Sequence, residues 1–192
     1  DNEGPDMECP ADMTISTNQY DCFATRVFDR PEILFDCSDN FTYNLSHAFG
    51  PFSDDYPCQE ASYTKEFANQ NTGTVSNLPI GHNFIKWEVK DECDNISECC
   101  TRVTVRDEIL PTAVCHLNTV VSIAANQQAI VFASSFDDGS HDNCAIRDIE
   151  VRKTVNSCTA GNTLFAKQAI FCCDEIGQEI MVEMKVTDVH GN

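Results

Sequence analysis

The cysteines constrain this chain more than any other residue type. There are 12 in 192 residues. They stand singly or as the vicinal pairs Cys99-Cys100 and Cys172-Cys173, and no two are spaced as a CxxC motif. That distribution lacks the ligand spacing of a zinc site or a redox dithiol. It fits a protein stapled by disulfides in an oxidising compartment. The expected location is therefore extracellular or at the cell surface.

Charge narrows the partners. With 31 acidic residues against 12 basic ones the formal net charge is -19. Phosphate backbones and anionic lipids are bound by clusters of Lys and Arg, so nucleic acid is excluded as a partner. No apolar run approaches the roughly 20 residues of a membrane span. The opening residues, Asp1-Asn2-Glu3-Gly4-Pro5, are not a signal peptide, so the reading is a mature product or a slice of a longer secreted chain.

Strand signals dominate the chain. Ile85, Trp87 and Val89 alternate with Lys86, Glu88 and Lys90. Cys99, Thr101, Val103 and Val105 likewise alternate with Cys100, Arg102, Thr104 and Arg106, and Val182, Met184 and Val186 with Glu183, Lys185 and Thr187. A period of two with one apolar side is the mark of a strand with one buried face. Shorter β-rich pieces fall at residues 13–16, 22–28, 119–123 and 129–132, separated by Asn, Asp, Ser, Gly and Pro clusters. No sustained 3.6-residue stripe appears. The fold class expected is all-β, a sandwich architecture.

The chain also repeats itself. Trp87-Glu88-Val89-Lys90-Asp91 with Asp94-Asn95 aligns with Met184-Lys185-Val186-Thr187-Asp188 with Gly191-Asn192, 97 residues later. Each run is preceded by an Ile-Gly pair, Ile80-Gly81 and Ile176-Gly177. Pro5 to Cys9 parallels Pro111 to Cys115 at an offset of 106 residues. Two tandem units follow, residues 1–108 and 109–192, with the seam at Asp107-Glu108-Ile109-Leu110-Pro111. In the first unit the Asp-x-x-Asp-Asn motif leads into a long strand over residues 98–106; the second unit is expected to lack that last strand within this sequence.

Several motifs resemble a known module. Cys9-Pro10-Ala11-Asp12-Met13-Thr14-Ile15 resembles the opening of a hyalin repeat (HYR), Leu78-Pro79-Ile80-Gly81 followed by residues 85–91 its central strand, and residues 95–99 followed by Val103-Thr104-Val105 its closing one. The second unit resembles an Ig-like repeat of large bacterial surface adhesins, through Asp138-Gly139-Ser140-His141-Asp142-Asn143-Cys144, Phe171-Cys172-Cys173 and Val186 to Asn192. The resemblance implies two disulfide-stapled Ig-like sandwiches serving adhesion or scaffolding in long arrays, and no enzyme activity. The extra cysteines Cys58, Cys93, Cys100, Cys158 and Cys172 depart from its pattern.

Cys99 shares the inward parity of Val103 and Val105 and is paired with Cys9; a bridge over that loop is worth roughly 4–5 kcal/mol in the chain-entropy model. In the second unit the pairs expected are Cys144 with Cys173 and Cys158 with Cys172. Cys22, Cys37, Cys58, Cys93 and Cys100 stay open. Cys115 is the counterpart of Cys9, whose partner is on the last strand; with 7 cysteines in the first unit and 5 in the second, either Cys115 pairs beyond Asn192 or a bridge crosses the units.

Asp138 and Asp142 crowd one loop, and the resemblance places the strand that ends at Asp188 nearby. Asp91, Asp94 and Asn95 form the matching corner of the first unit, with Asp107 and Glu108 at the seam. Calcium takes six to eight oxygen ligands in irregular loops, and these six aspartates are the candidate set for it. Asp and Asn at such positions also serve simply as turn formers. Asn40, Asn44 and Asn95 open Asn-x-Ser/Thr triplets and are candidate glycan sites. The five histidines sit singly, without any catalytic motif.

The function expected is an extracellular structural repeat protein, a subunit or segment of a surface fibre or adhesin array that self-associates and is completed by a strand donated from a neighbour. The alternative is a calcium-dependent carbohydrate- or protein-binding adhesin module that presents Phe49, Phe52 and Tyr56.

Overall fold

The protein is described as a computed structural model covering residues 2–68, 72–155, 158 and 163–192. Its described residues are all-β: thirteen strands and three short 3-10 turns, with no α-helix. None is a helix long and apolar enough to cross a membrane. The chain divides into two compact units, Asp1–Glu108 and Ile109–Asn192.

The first unit holds strands β1 (Asp6–Glu8), β2 (Met13–Ser16), β3 (Phe23–Asp29), β4 (Glu32–Phe35) and β5 (Thr42–Phe52). It continues with β6 (Thr64–Ala68), β7 (Thr72–Pro79), β8 (Gly81–Lys90) and β9 (Ile96–Arg106). Five of them form one sheet in the order β2-β9-β8-β5-β6, while β3 pairs with β7 and β1 with β4. All pairings are antiparallel except β2 with β9, which run parallel.

The alternation read from the sequence explains the sandwich. Leu45 of β5, Trp87 and Val89 of β8, and Cys99, Val103 and Val105 of β9 point to one face and are almost fully buried. They meet Ala24 and Phe28 of β3 and Val75 and Leu78 of β7 in a single core. The opposite face of β8 is not simply solvated. Phe84 there is buried beneath Phe52 and Tyr56, at centroid distances of 4.9 and 6.3 Å.

The second unit is smaller. Its strands are β10 (Gln128–Phe132), β11 (Ile146–Lys153), β12 (Gln168–Cys172) and β13 (Val182–Asp188). They form two antiparallel ladders, β10 with β12 and β11 with β13. Ala133, Phe136, Val151, Ala169 and Phe171 make its buried core. Beneath it Lys153 and Glu175 form an ion pair at 2.7 Å with both residues buried.

One expected strand is absent. Among the described residues, 119–123 carry a β-rich sequence but form no ladder; the start of this unit is tied by single bridges, Thr112 to His141 and Cys115 to Asp137, and by the Val114 N–H donating to the Ser140 hydroxyl at 2.9 Å. Their counterpart in the first unit, β2, is held by β9 alone. A short strand without a partner has no ladder hydrogen bonds to define it, so sequence propensity is not enough at this place.

Candidate functional site

Equivalent turns end β8 and β13. In the first, the Asp91 carboxylate accepts the backbone N–H groups of Cys93 and Asn95, each at 2.8 Å, and the Asn95 side-chain amide at 2.8 Å. In the second, Asp188 accepts the N–H groups of His190, Gly191 and Asn192 at 2.8, 2.6 and 2.9 Å and the Asn192 side-chain amide at 2.9 Å. The backbone closes alike: Asp91 N–H donates to the Asn95 carbonyl at 3.1 Å and Asp188 N–H to the Asn192 carbonyl at 3.2 Å. The fourth residue of each turn has a positive φ, 69° at Asp94 and 99° at Gly191, the left-handed region that Asp and Gly tolerate.

Electrostatics follow from these bonds. Desolvation pushes both carboxyls up, but the Asn side-chain and backbone N–H donors outweigh it and hold Asp91 and Asp188 below the ordinary carboxylate range.

The turns differ in what lies beyond them. The 91–95 turn feeds β9, which lies between β8 and β2. In the second unit β13 pairs only with β11 among the described residues, and its other edge is open. Along that edge runs a cleft of about 950 Å³, walled on one side by residues 115–123 and on the other by residues 175–182 and Met184. Val121, Ile123, Ile180, Val182 and Met184 line it and are only half-buried against the core. Their first-unit counterparts on β8, Ile85 and Trp87 opposite Val182 and Met184, are 1% exposed.

The cysteines sort by strand face. Cys99 on the inner face of β9 is bonded to Cys9, with Cα atoms 5.4 Å apart. Cys100, on the outer face, is bonded to Cys58 in the turn Cys58–Glu60, and Tyr63 donates its hydroxyl to the Cys58 carbonyl at 2.7 Å beside them. The parity that places Cys99 inward already placed Cys100 outward, a signal sequence reasoning left unused. Cys158 is bonded to Cys172. The expected Cys144–Cys173 pair is corrected by the structure: Cys173 is a free, exposed thiol at the start of a 3-10 turn, whereas Cys144 is disulfide-bonded elsewhere. Neighbouring cysteines at the end of a strand face opposite ways, so Cys172, which points to Cys158, leaves Cys173 turned to solvent. Cys22 is also disulfide-bonded, while Cys37, Cys93 and Cys115 are free and exposed.

The six candidate calcium ligands are not one cluster. Asp91 caps its turn as described, and Asp94 is exposed and ion-paired with Lys90. Asp107 is buried and accepts the Thr17 hydroxyl at 3.0 Å. Asp138 is exposed, 3.6 Å from the His116 ring. Asp142 and Asp188 do come together, with carboxylate oxygens within 4.8 Å of each other. One oxygen of Asp142 accepts the N–H groups of Cys144 and Ala145, and the other is buried without a hydrogen-bond partner.

The sequon asparagines differ in exposure. Asn40 is exposed and donates to Glu92 at 2.9 Å. Asn44 lies within β5 and donates to Glu88 at 2.9 Å. The Asn95 amide nitrogen, the atom a glycan would occupy, already donates to Asp91. Of the three aromatics, Phe52 and Tyr56 stack on each other at 4.8 Å and Phe49 stacks on His47 at 4.1 Å.

Comparison with known proteins adds little to this geometry. No family model matches the chain. No curated protein matches it. Among solved structures, it is similar to the CsuC–CsuE chaperone–tip adhesion subunit pre-assembly complex from archaic chaperone-usher Csu pili of Acinetobacter baumannii. The identity is 11%, covering 94% of this chain and 99% of that one, with a TM-score of 0.29, a likeness too shallow to carry an argument.

Proposed function

We propose that this chain is a structural repeat of an extracellular surface fibre or adhesin array, built from two disulfide-stapled sandwiches of one ancestral plan. The observation that carries the reading is the duplicated turn. Asp91 with Asn95 and Asp188 with Asn192 make the same set of hydrogen bonds at the end of corresponding strands. Two units built on one device in tandem are the elements of a repeat array. The disulfides fit the oxidising exterior where such arrays work. The open edge of β13 supports it further, because an edge that takes a strand from outside residues 109–192 links a module to what adjoins it.

The test is location and assembly. Immunogold labelling of the cells that make the protein is expected to decorate extended surface filaments. Label confined to the cytosol would overturn the reading.

A second reading, a calcium-dependent adhesin module, is favoured by one feature: the partnerless Asp142 oxygen close to Asp188. It requires that calcium raise the melting temperature of the second unit and that a chelator reverse the rise.

A further inference from the structure

We propose that the cleft of the second unit is the seat of one more β-strand. It is delivered by the 188–192 turn, runs antiparallel to β13, and carries a cysteine that bonds Cys115. The inference deepens the array reading by naming the segment that completes the module, and it rests on that reading for its biological setting only.

The first unit supplies the template. There the 91–95 turn reverses the chain into β9, which pairs Trp87 with Cys99, Ile85 with Thr101 and Gly81 with Val105. The far edge of β9 pairs Val103 with Met13 and Val105 with Ile15. The second unit repeats both walls of this slot. Met184 and Val182 stand where Trp87 and Ile85 stand, and Thr119 and Val121 where Met13 and Ile15 stand, at the offsets of 97 and 106 residues. The turn that would load the slot is already closed by the Asp188 N–H to the Asn192 carbonyl, as at Asp91 and Asn95.

Three further observations agree. Met184 and Val182 are half-buried where their counterparts are 1% exposed. Residues 119–122 form no ladder although β2 does. Cys115, the counterpart of Cys9, lies in the cleft wall as a free thiol. The occupant therefore has the pattern of β9: a cysteine opposite Met184, then small or β-branched residues at every second position facing inward.

The covalent step is a thiol–disulfide exchange. The Cys115 thiol and the incoming thiol give up two protons and two electrons; a small disulfide such as oxidised glutathione accepts them and leaves as two thiols.

The experiment joins a copy of residues 96–106 directly after Asn192, with the copy of Cys100 replaced by serine, and refolds that chain in a glutathione redox buffer. Peptide mapping is expected to find Cys115 bonded to the added cysteine. Amide exchange along β13 is expected to slow at least about ten-fold, and the melting midpoint of the second unit to rise by about 5 °C or more. The added cysteine bonded instead to Cys37, Cys93 or Cys173 would overturn the register. In a Cys115→Ser version the strand is still expected to protect β13; unchanged exchange there would overturn the seat itself. The same segment given as a free peptide to the unextended chain is expected to capture Cys115 less completely, and equal capture would overturn delivery by the turn. A closed strand on a chain that never labels surface filaments would defeat the array reading and leave this one standing.

Discussion

The Asn192 side-chain amide donates to the Asp188 carboxylate at 2.9 Å, repeating the 2.8 Å bond from Asn95 to Asp91. One carboxylate thereby fixes a five-residue turn through both its oxygens, with every donor taken from the turn itself. The aspartate is a cap before it is anything else.

Removing either cap should therefore act locally. Asp91→Ala is expected to lower the melting temperature of the first unit by several degrees and Asp188→Ala that of the second, each leaving the other transition in place. Both carboxyls are held below the ordinary range, so their stabilisation is present above about pH 4 and is lost as pH falls through the lower folded value. Calorimetry at stepwise lower pH should show that loss, and Asp91→Asn should flatten it for the first unit.

Much of this was legible in the residues, where one face of a strand is buried and the other is not. Period-two alternation marks β8, β9 and β13 because each has one apolar side, and the inward parity of Cys99 leads to Cys9. The repeat of Asp91 and Asn95 in Asp188 and Asn192 was visible as a motif, although its meaning as a carboxylate cap needed the hydrogen bonds. What stayed hidden depended on partners distant in sequence. Residues 119–123 have the composition of a strand, but a ladder needs a neighbour, and among the described residues β9 has no counterpart beside them. The choice between Cys172 and Cys173 as a partner is a matter of which side chain faces the core at a strand end, which the sequence leaves within one residue of ambiguity. The calcium set joins turn caps such as Asp91 and Asp188 with aspartates held by other groups, Asp94 by Lys90 and Asp107 by the Thr17 hydroxyl, because Asp suits turns in either role.

The buried ion pair of the second unit makes a sharper mutational case. Lys153 and Glu175 are 1% and 6% exposed, and the Lys153 ammonium also lies 5.1 Å from the centre of the Phe171 ring. Removing one partner leaves an uncompensated buried charge, so Glu175→Leu alone is expected to cost on the order of 3–5 kcal/mol. The double change Lys153→Met with Glu175→Leu should recover most of that loss. Urea denaturation of the two variants checks the ordering, which a purely additive cost would reverse.

Alkaline pH probes the first unit at Tyr63. Desolvation, with the nearby Glu98 carboxylate, pushes its phenol up to about 12. An unfolded tyrosine ionises near 10. The neutral phenol is thus favoured by the fold: the contribution is whole below about pH 10 and is lost as pH rises through about 12. Phenolate absorbance of the folded chain should show a late step from Tyr63. Tyr63→Phe should abolish that late step and shift the alkaline unfolding of the first unit.

The bridges Cys9–Cys99, Cys58–Cys100 and Cys158–Cys172 should rank by the loop each closes. Cys9–Cys99 spans 90 residues, Cys58–Cys100 spans 42 and Cys158–Cys172 spans 14. In the chain-entropy account these loops correspond to about 4–5, about 4 and about 3 kcal/mol. Paired serine substitutions, removing both cysteines of one bridge at a time, should reproduce that order in urea unfolding of the unit concerned. The first and second bridges leave neighbouring positions of β9, yet they act on different layers: Cys99 faces the core beside Val103, and Cys100 anchors the turn Cys58–Glu60 on the outside. Loss of Cys9–Cys99 is therefore expected to loosen the start of the unit as well, and amide exchange at β2 should quicken with it. Loss of Cys58–Cys100 should leave β2 protected and expose the Tyr63 hydroxyl, bringing its late ionisation back toward 10.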